Sequence, residues 1–163
     1  MARSLYDFLG FSNLAGTEFN TSNNKGPSIP AQSISGSSAV TGAYFDTKGF
    51  STAMLRANAQ AASGSPTTAA IAFTVTECAT SGGTYTAAND NTGTQIGGTA
   101  TVTSAAADVL ARIEGLGLQR KRFLKVVATP SFTGGTSPAS LIFGEIIAAR
   151  GFNQPVQTTV SNT

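Results

Sequence analysis

The stretch Ile71-Ala72-Phe73-Thr74-Val75-Thr76-Glu77 decides the fold class. Ile71, Phe73, Val75 and Glu77 recur at a period of two with smaller residues between them, which is the rhythm of a strand and not of a helix. The run from Phe50 to Ala57 repeats it, with Phe50, Thr52, Met54 and Arg56 on one side and Ser51, Ala53, Leu55 and Ala57 on the other. Thr99, Thr101 and Thr103 keep the same period.

Further segments, 40–46, 109–116, 123–130 and 140–149, are dense in Val, Ile, Leu, Phe and Tyr at strand length. Turn signals stand between them: Gly64-Ser65-Pro66, Ser81-Gly82-Gly83, Asn89-Asp90-Asn91, Gly97-Gly98, and Thr133-Gly134-Gly135 with Pro138. Roughly seven or eight short strands in about 110 residues predict an all-β protein, an antiparallel β-sandwich or jelly roll. Ala105-Ala106-Ala107-Asp108-Val109-Leu110 also admits a helical reading, set below the strand one.

With 163 residues the chain holds one domain and its appendages. The divisions expected are an extended N-terminal arm over 1–38, a β-sandwich domain over 39–151 and a flexible C-terminal tail over 152–163. The arm is rich in Asn, Ser, Thr and Gly from Ser12 to Ser38, includes Pro27 and Pro30, and shows no regular periodicity. Ahead of that stretch, Ser4 as a cap, Leu5, Phe8 and Leu9 at i, i+3 and i+4, and Gly10 as a stop predict a short helix over 4–10.

Composition excludes several function classes. Charged residues are only 11% of the chain and the net charge is +2, so no strong field calls for nucleic acid or a membrane. No segment has the roughly 18 apolar residues of a membrane-spanning helix, and the first residues lack the apolar run of a signal peptide. The protein is expected to be soluble where it is made. A single cysteine, Cys78, rules out a disulfide within the chain.

No histidine is present, so Ser-His-Asp and Cys-His catalysis cannot be built and the commonest transition-metal ligand is missing. Cys78 follows Glu77, whose carboxylate makes it a poor nucleophile, and reads as a small strand residue. The glycine pairs 82–83, 97–98 and 134–135 fit hairpin turns better than phosphate loops. Asn89-Asp90-Asn91 offers one carboxylate to a calcium ion and reads as a polar loop tip, and Asn20-Thr21-Ser22 is a sequon without a secretion signal. A hydrolase could draw an acid pair from Asp46, Glu77, Asp90, Asp108, Glu114 and Glu145, but no aromatic sugar cleft accompanies them. The expectation is no enzyme, no catalytic residue, no metal and no cofactor.

Two features remain as partner-binding candidates. One is the arm's apolar set, Leu5, Tyr6, Phe8, Leu9 and Phe11, followed by Leu14 and Phe19. An extended run of that arm's length spans up to about 125 Å, against a diameter of about 35 Å for the compact domain, so it can reach a neighbouring subunit or fold back on its own domain. The other is the basic cluster Arg120, Lys121 and Arg122, with Lys125 nearby and Arg112 upstream. It suits a solvated turn entering a strand, an acidic protein surface or nucleic-acid phosphates, the first preferred.

The hairpin-like run Arg122-Phe123-Leu124-Lys125-Val126-Val127-Ala128-Thr129-Pro130-Ser131-Phe132-Thr133-Gly134-Gly135-Thr136-Ser137-Pro138, with the earlier Thr74-Val75-Thr76-Glu77 and Ser81-Gly82-Gly83-Thr84-Tyr85, resembles the β-sandwich head decoration, or capsid cement, proteins of tailed bacteriophages. The resemblance extends from about Phe50 to Gly151. It implies a structural virion protein on the outer surface of an icosahedral head, made in the host cytoplasm. Such a protein acts as a homo-oligomer, a dimer or trimer, and cements neighbouring major capsid protein subunits by many weak contacts at once. The alternative it leaves open is a phage tail or fibre-base adaptor, a binding module.

Overall fold

The structure is a computed structural model that describes residues 28–50 and 52–149. The described residues contain ten strands and no helix: β1 (Ile29–Ser35), β2 (Val40–Thr41), β3 (Phe45–Asp46), β4 (Thr52–Ala59), β5 (Thr68–Cys78), β6 (Thr86–Ala87), β7 (Gly97–Thr101), β8 (Ala107–Ile113), β9 (Phe123–Thr133) and β10 (Ala139–Ala149). They form two antiparallel sheets. Sheet A runs β1-β10-β4-β8, and sheet B runs β2-β9-β5-β6, with β3 also on β9 and β7 also on β5.

Each of β2 with β3, and β6 with β7, occupies one position beside a long strand, which leaves eight positions in all. The first position then pairs with the last, the second with the seventh, the third with the sixth and the fourth with the fifth. That is one long antiparallel hairpin wrapped around a core, with β10 lying on β4 and β9 on β5 where the wrap closes, and it is the strand order of a jelly roll. The all-β sandwich expected from the alternation is therefore the fold.

The core lies between the sheets. Ala53, Leu55, Ala57 and Ala59 of β4, Ile142, Ile146 and Ala148 of β10, and Ile71, Phe73 and Val75 of β5 all point inward and are buried, as do Leu124, Val126 and Ala128 of β9. Every one keeps the two-residue period. Alanines dominate the inner face of β4, so the large groups there come from sheet B, with Phe73 and Phe45 fully buried.

Three expectations are corrected: the assignment of residues 29–35, the turn at Gly97-Gly98 and the place of Phe50. Residues 29–35, assigned to the arm, are strand β1, paired with β10 from Ile29↔Gly144 to Ser35↔Ala139. A bulge between Ile29 and Gln32 breaks the period, and Pro30 is admitted because β1 is an edge strand. Gly97 and Gly98 open strand β7 instead of making a turn. Residues 107–113 are a strand, in line with the preferred reading, and the lower-ranked helical alternative there falls. Phe50 also leaves the alternation: it precedes β4, its N–H donates to the Thr47 carbonyl, and its ring packs on Phe45. The short helix over 4–10, most of the arm and the tail over 152–163 lie outside the described residues.

Candidate functional site

The basic cluster sits where the loop after β8 enters β9, at the end of sheet B. Its three members have different fates. Arg120 is drawn inward, its side chain only 6% exposed, and forms an ion pair of 3.6 Å with Glu77. It also donates from Nε to the Glu114 carbonyl at 3.0 Å and from its terminal nitrogen to the Asn89 carbonyl. Glu77 accepts a second bond, 3.3 Å, from the Lys121 N–H. Arg120 thus ties the loops before β7 and β9 to the end of β5, and is a clamp rather than an outward charge.

Arg122 stays on the surface and grips Asp46 of β3 through two bonds of 2.8 and 2.7 Å. That guanidinium holds the Asp46 carboxyl below the usual carboxylate range, against the opposing effect of burial. Lys121 reaches Thr86 Oγ1 at 3.0 Å, and Lys125 lies over the Tyr85 ring at 4.2 Å from its centroid. Both lysines contact neutral groups, so they leave this end of the sheet with positive charge.

Around these cations the outer face of sheet B carries aromatic rings. Tyr44 meets Phe123 edge to face at 5.4 Å, and the Arg122 guanidinium lies 5.0 Å from the Phe123 centroid. Tyr85 donates its hydroxyl to the Ser81 carbonyl at 3.1 Å. Burial pushes its phenol up, with Cys78 and Tyr44 adding to the effect. The register explains the clustering: Phe123 pairs with Cys78 and Lys125 with Thr76, so both project from the same face of adjacent strands. The result is a platform of Tyr44, Tyr85 and Phe123 edged by Lys121, Arg122 and Lys125.

Of the residues singled out from the sequence, Arg120, Lys121 and Arg122 are thus brought together, with Arg120 turned inward. Leu5, Tyr6, Phe8, Leu9 and Phe11 lie outside the described residues. Tyr44 and Tyr85 were missed, since they come from short strands or loops far apart in the chain, and only the pairing of β3 and β6 onto β9 and β5 unites them. Leu118, 92% exposed at the tip of the loop holding Arg120, was missed for want of any local pattern.

Cys78 is buried, with its sulfur 4.0 Å from Thr80 Oγ1. Asp90 accepts from the Thr92 and Thr94 N–H groups and the Thr92 hydroxyl, which closes the 90–94 loop on itself and holds its carboxyl below the ordinary range. Among the described residues no three His, Cys, Asp or Glu side chains gather as a metal site requires. No protein-family model and no curated protein sequence matches the chain.

Proposed function

We propose that the chain is a structural virion protein that binds the outside of an icosahedral phage head and cements neighbouring major capsid protein subunits. The reading rests on the resemblance of the β9–β10 hairpin region. A jelly roll adds weight, because viral capsid domains are among the users of this fold, although the fold alone serves many functions.

The observation that carries the reading is the platform on the outer face of sheet B. Tyr and Arg dominate the energetics of protein interfaces because they cover large areas at low conformational cost. Here such groups are held by a rigid sheet, and Lys121 and Lys125 give the rim a charge that an acidic capsid surface would complement. The apolar side chains of residues 5–11 are the second grip in this proposal.

Particles stripped of the protein and re-incubated with purified chain provide the test, with copies per particle counted by quantitative mass spectrometry. Lys121→Glu with Lys125→Glu is expected to lower occupancy at least about tenfold, as is deletion of residues 1–20. Unchanged occupancy in the double variant rejects the platform as the contact face, and unchanged occupancy in the deletion rejects the arm. Gold labelling confined to particle tails would replace the cement role with that of a tail adaptor.

A further inference from the structure

The end of the sandwich near the β9–β10 hairpin holds an open cleft of about 770 Å³ that the platform does not include. Its walls are the last residues of β1, the turn after it, the far half of β9 and the hairpin before β10. Backbone direction shows what those walls offer. The Gly42 N–H bonds the Val126 carbonyl and the Thr47 N–H the Arg122 carbonyl, so the even-numbered residues of β9 direct their backbone groups toward β2 and β3. β2 pairs only with Val127 and Ala128, so beyond it Pro130 and Phe132 face the cleft with no strand beside them among the described residues.

Pro130 has no N–H to leave unpaired, which is why a proline is tolerated here, but its carbonyl remains, with the N–H and carbonyl of Phe132. The opposite wall has the same character. The Gln60 and Ser63 N–H groups take the carbonyls of Leu141 and Ala139 on the β4 side. Ser140 and Ile142 therefore turn toward β1, where they meet Ile34 and Gln32, and Ser33 and Ser35 direct their own backbone groups outward. Both serines line the cleft.

Two strand edges whose peptide groups find no partner among the described residues thus border one cleft. Its described lining contains no charged side chain, only hydroxyls, small residues and the flank of Phe132. The cleft is also preformed. Thr136 N–H bonds the Gly64 carbonyl at 2.8 Å, and a Cβ on Gly135 would run into Gly64 and Pro66, so the hairpin wall is packed against the β4–β5 loop. Unpaired peptide groups recognise peptide groups, and a neutral lining disfavours a charged occupant.

We propose that this cleft accepts an extended, uncharged segment of a partner protein, which adds as a strand beside β9 where β2 ends and takes the outward peptide groups of Ser33 and Ser35 on its other edge. The proposal rests on the reading of the chain as a partner-binding block, and it gives that block a second and separate attachment point.

The probe is a capped octapeptide of Ser, Thr and Ala, titrated into the isotope-labelled full chain and followed by amide NMR. Saturable shifts at Ser33, Ser35 and Phe132 are expected, with affinity falling at least about tenfold when alternate peptide nitrogens are methylated. Equal binding of the methylated peptide overturns the proposal, as do shifts given by a neutral tetrasaccharide but not by the peptide. Ser33→Pro removes an N–H that β10 does not use, so it is expected to keep the parent spectrum elsewhere and lose the peptide; retained affinity overturns the proposal. Particle occupancy of the same variant separates the two readings. Peptide binding by a chain that never attaches to heads keeps the cleft and rejects the cement role, whereas attachment without peptide shifts does the reverse.

Discussion

Glu77 keeps the strand rhythm of β5 and so carries a charge toward the dry side of sheet B, where Arg120 answers it. The two side chains are only 11% and 6% exposed, and the pair is therefore unlike a surface one. Arg120→Ala leaves the carboxylate with the Lys121 N–H alone and is expected to cost about 3 kcal/mol in urea unfolding; a loss below about 1 kcal/mol would mean that water replaces the guanidinium. Glu145 makes the opposite case on the outer face of sheet A, opposite Arg56 in the register and 3.5 Å from it. Burial pushes its carboxyl above the ordinary 4.5, with Arg56 pulling back. A raised folded-state value means the native chain holds the proton more tightly, so this group's stabilisation is full below the ordinary value and is lost as pH rises through the raised one. Glu145→Gln is accordingly expected to be at least as stable as the parent near neutral pH, the gap closing as pH falls to about 4. Asp46 titrates with the reverse sign: held down by Arg122, it stabilises above its ordinary 3.8 and loses that contribution as pH falls through the depressed value. Parallel pH–stability curves for Arg122→Met and the parent through the acid range would contradict this.

At the scale of the element, the glycine pairs show how identical residues serve different ends. A Cβ on Gly97 would overlap the Phe73 carbonyl, and one on Gly98 would come within 2.8 Å of Val109, so β7 uses both to pass closely between β5 and the inner face of sheet A. Gly97→Ala is expected to cost about 2–4 kcal/mol, whereas Gly82→Ala, with no atom within 4 Å of its Cβ, should stay within about 0.5 kcal/mol; denaturant midpoints of the two variants check the contrast. The pattern Gly-Gly reads the same in both places, and only the packed neighbour tells them apart. Strands β4, β5, β9 and β10 were legible because each buries one face over most of its length. The period gives way only at the ends of β5 and β10, where Glu77 with Cys78 and Ile146 to Ala148 are buried in succession. Strand β1 was not: the bulge shifts Ile34 out of phase with Ile29, Pro30 reads as a breaker, and serines fill its wet face. The same reasoning explains the platform. Lys121, Arg122 and Lys125 are contiguous and visible, while Tyr44 and Tyr85 join them through strand pairs of two residues each, too short to leave a periodic trace.

For the whole molecule, the jelly-roll order makes the first and last described strands neighbours, so β1 closes the structure instead of decorating it. Ile29 and Ile34 are 0% and 3% exposed, and each contributes about 1.5–3 kcal/mol by leaving water. Ser28 adds a carbonyl bond to the Ala43 N–H at 2.8 Å, which fastens the start of β1 to the strands of sheet B. A chain lacking residues 1–38 therefore loses a strand, two core side chains and the cover on the β10 edge. It is expected to lose most of a typical domain's stability of about 5–15 kcal/mol, and to aggregate through the bared edge. A chain lacking only residues 1–20 keeps every contact described here and is expected to unfold in one transition at the parent midpoint, by circular dichroism and by tyrosine fluorescence alike. Equal stability of the two truncations would mean that β1 is an attachment to the sandwich and not part of its closure. The domain that presents the platform and the cleft would then begin at β2, and β1 could not serve as a fixed wall for either one.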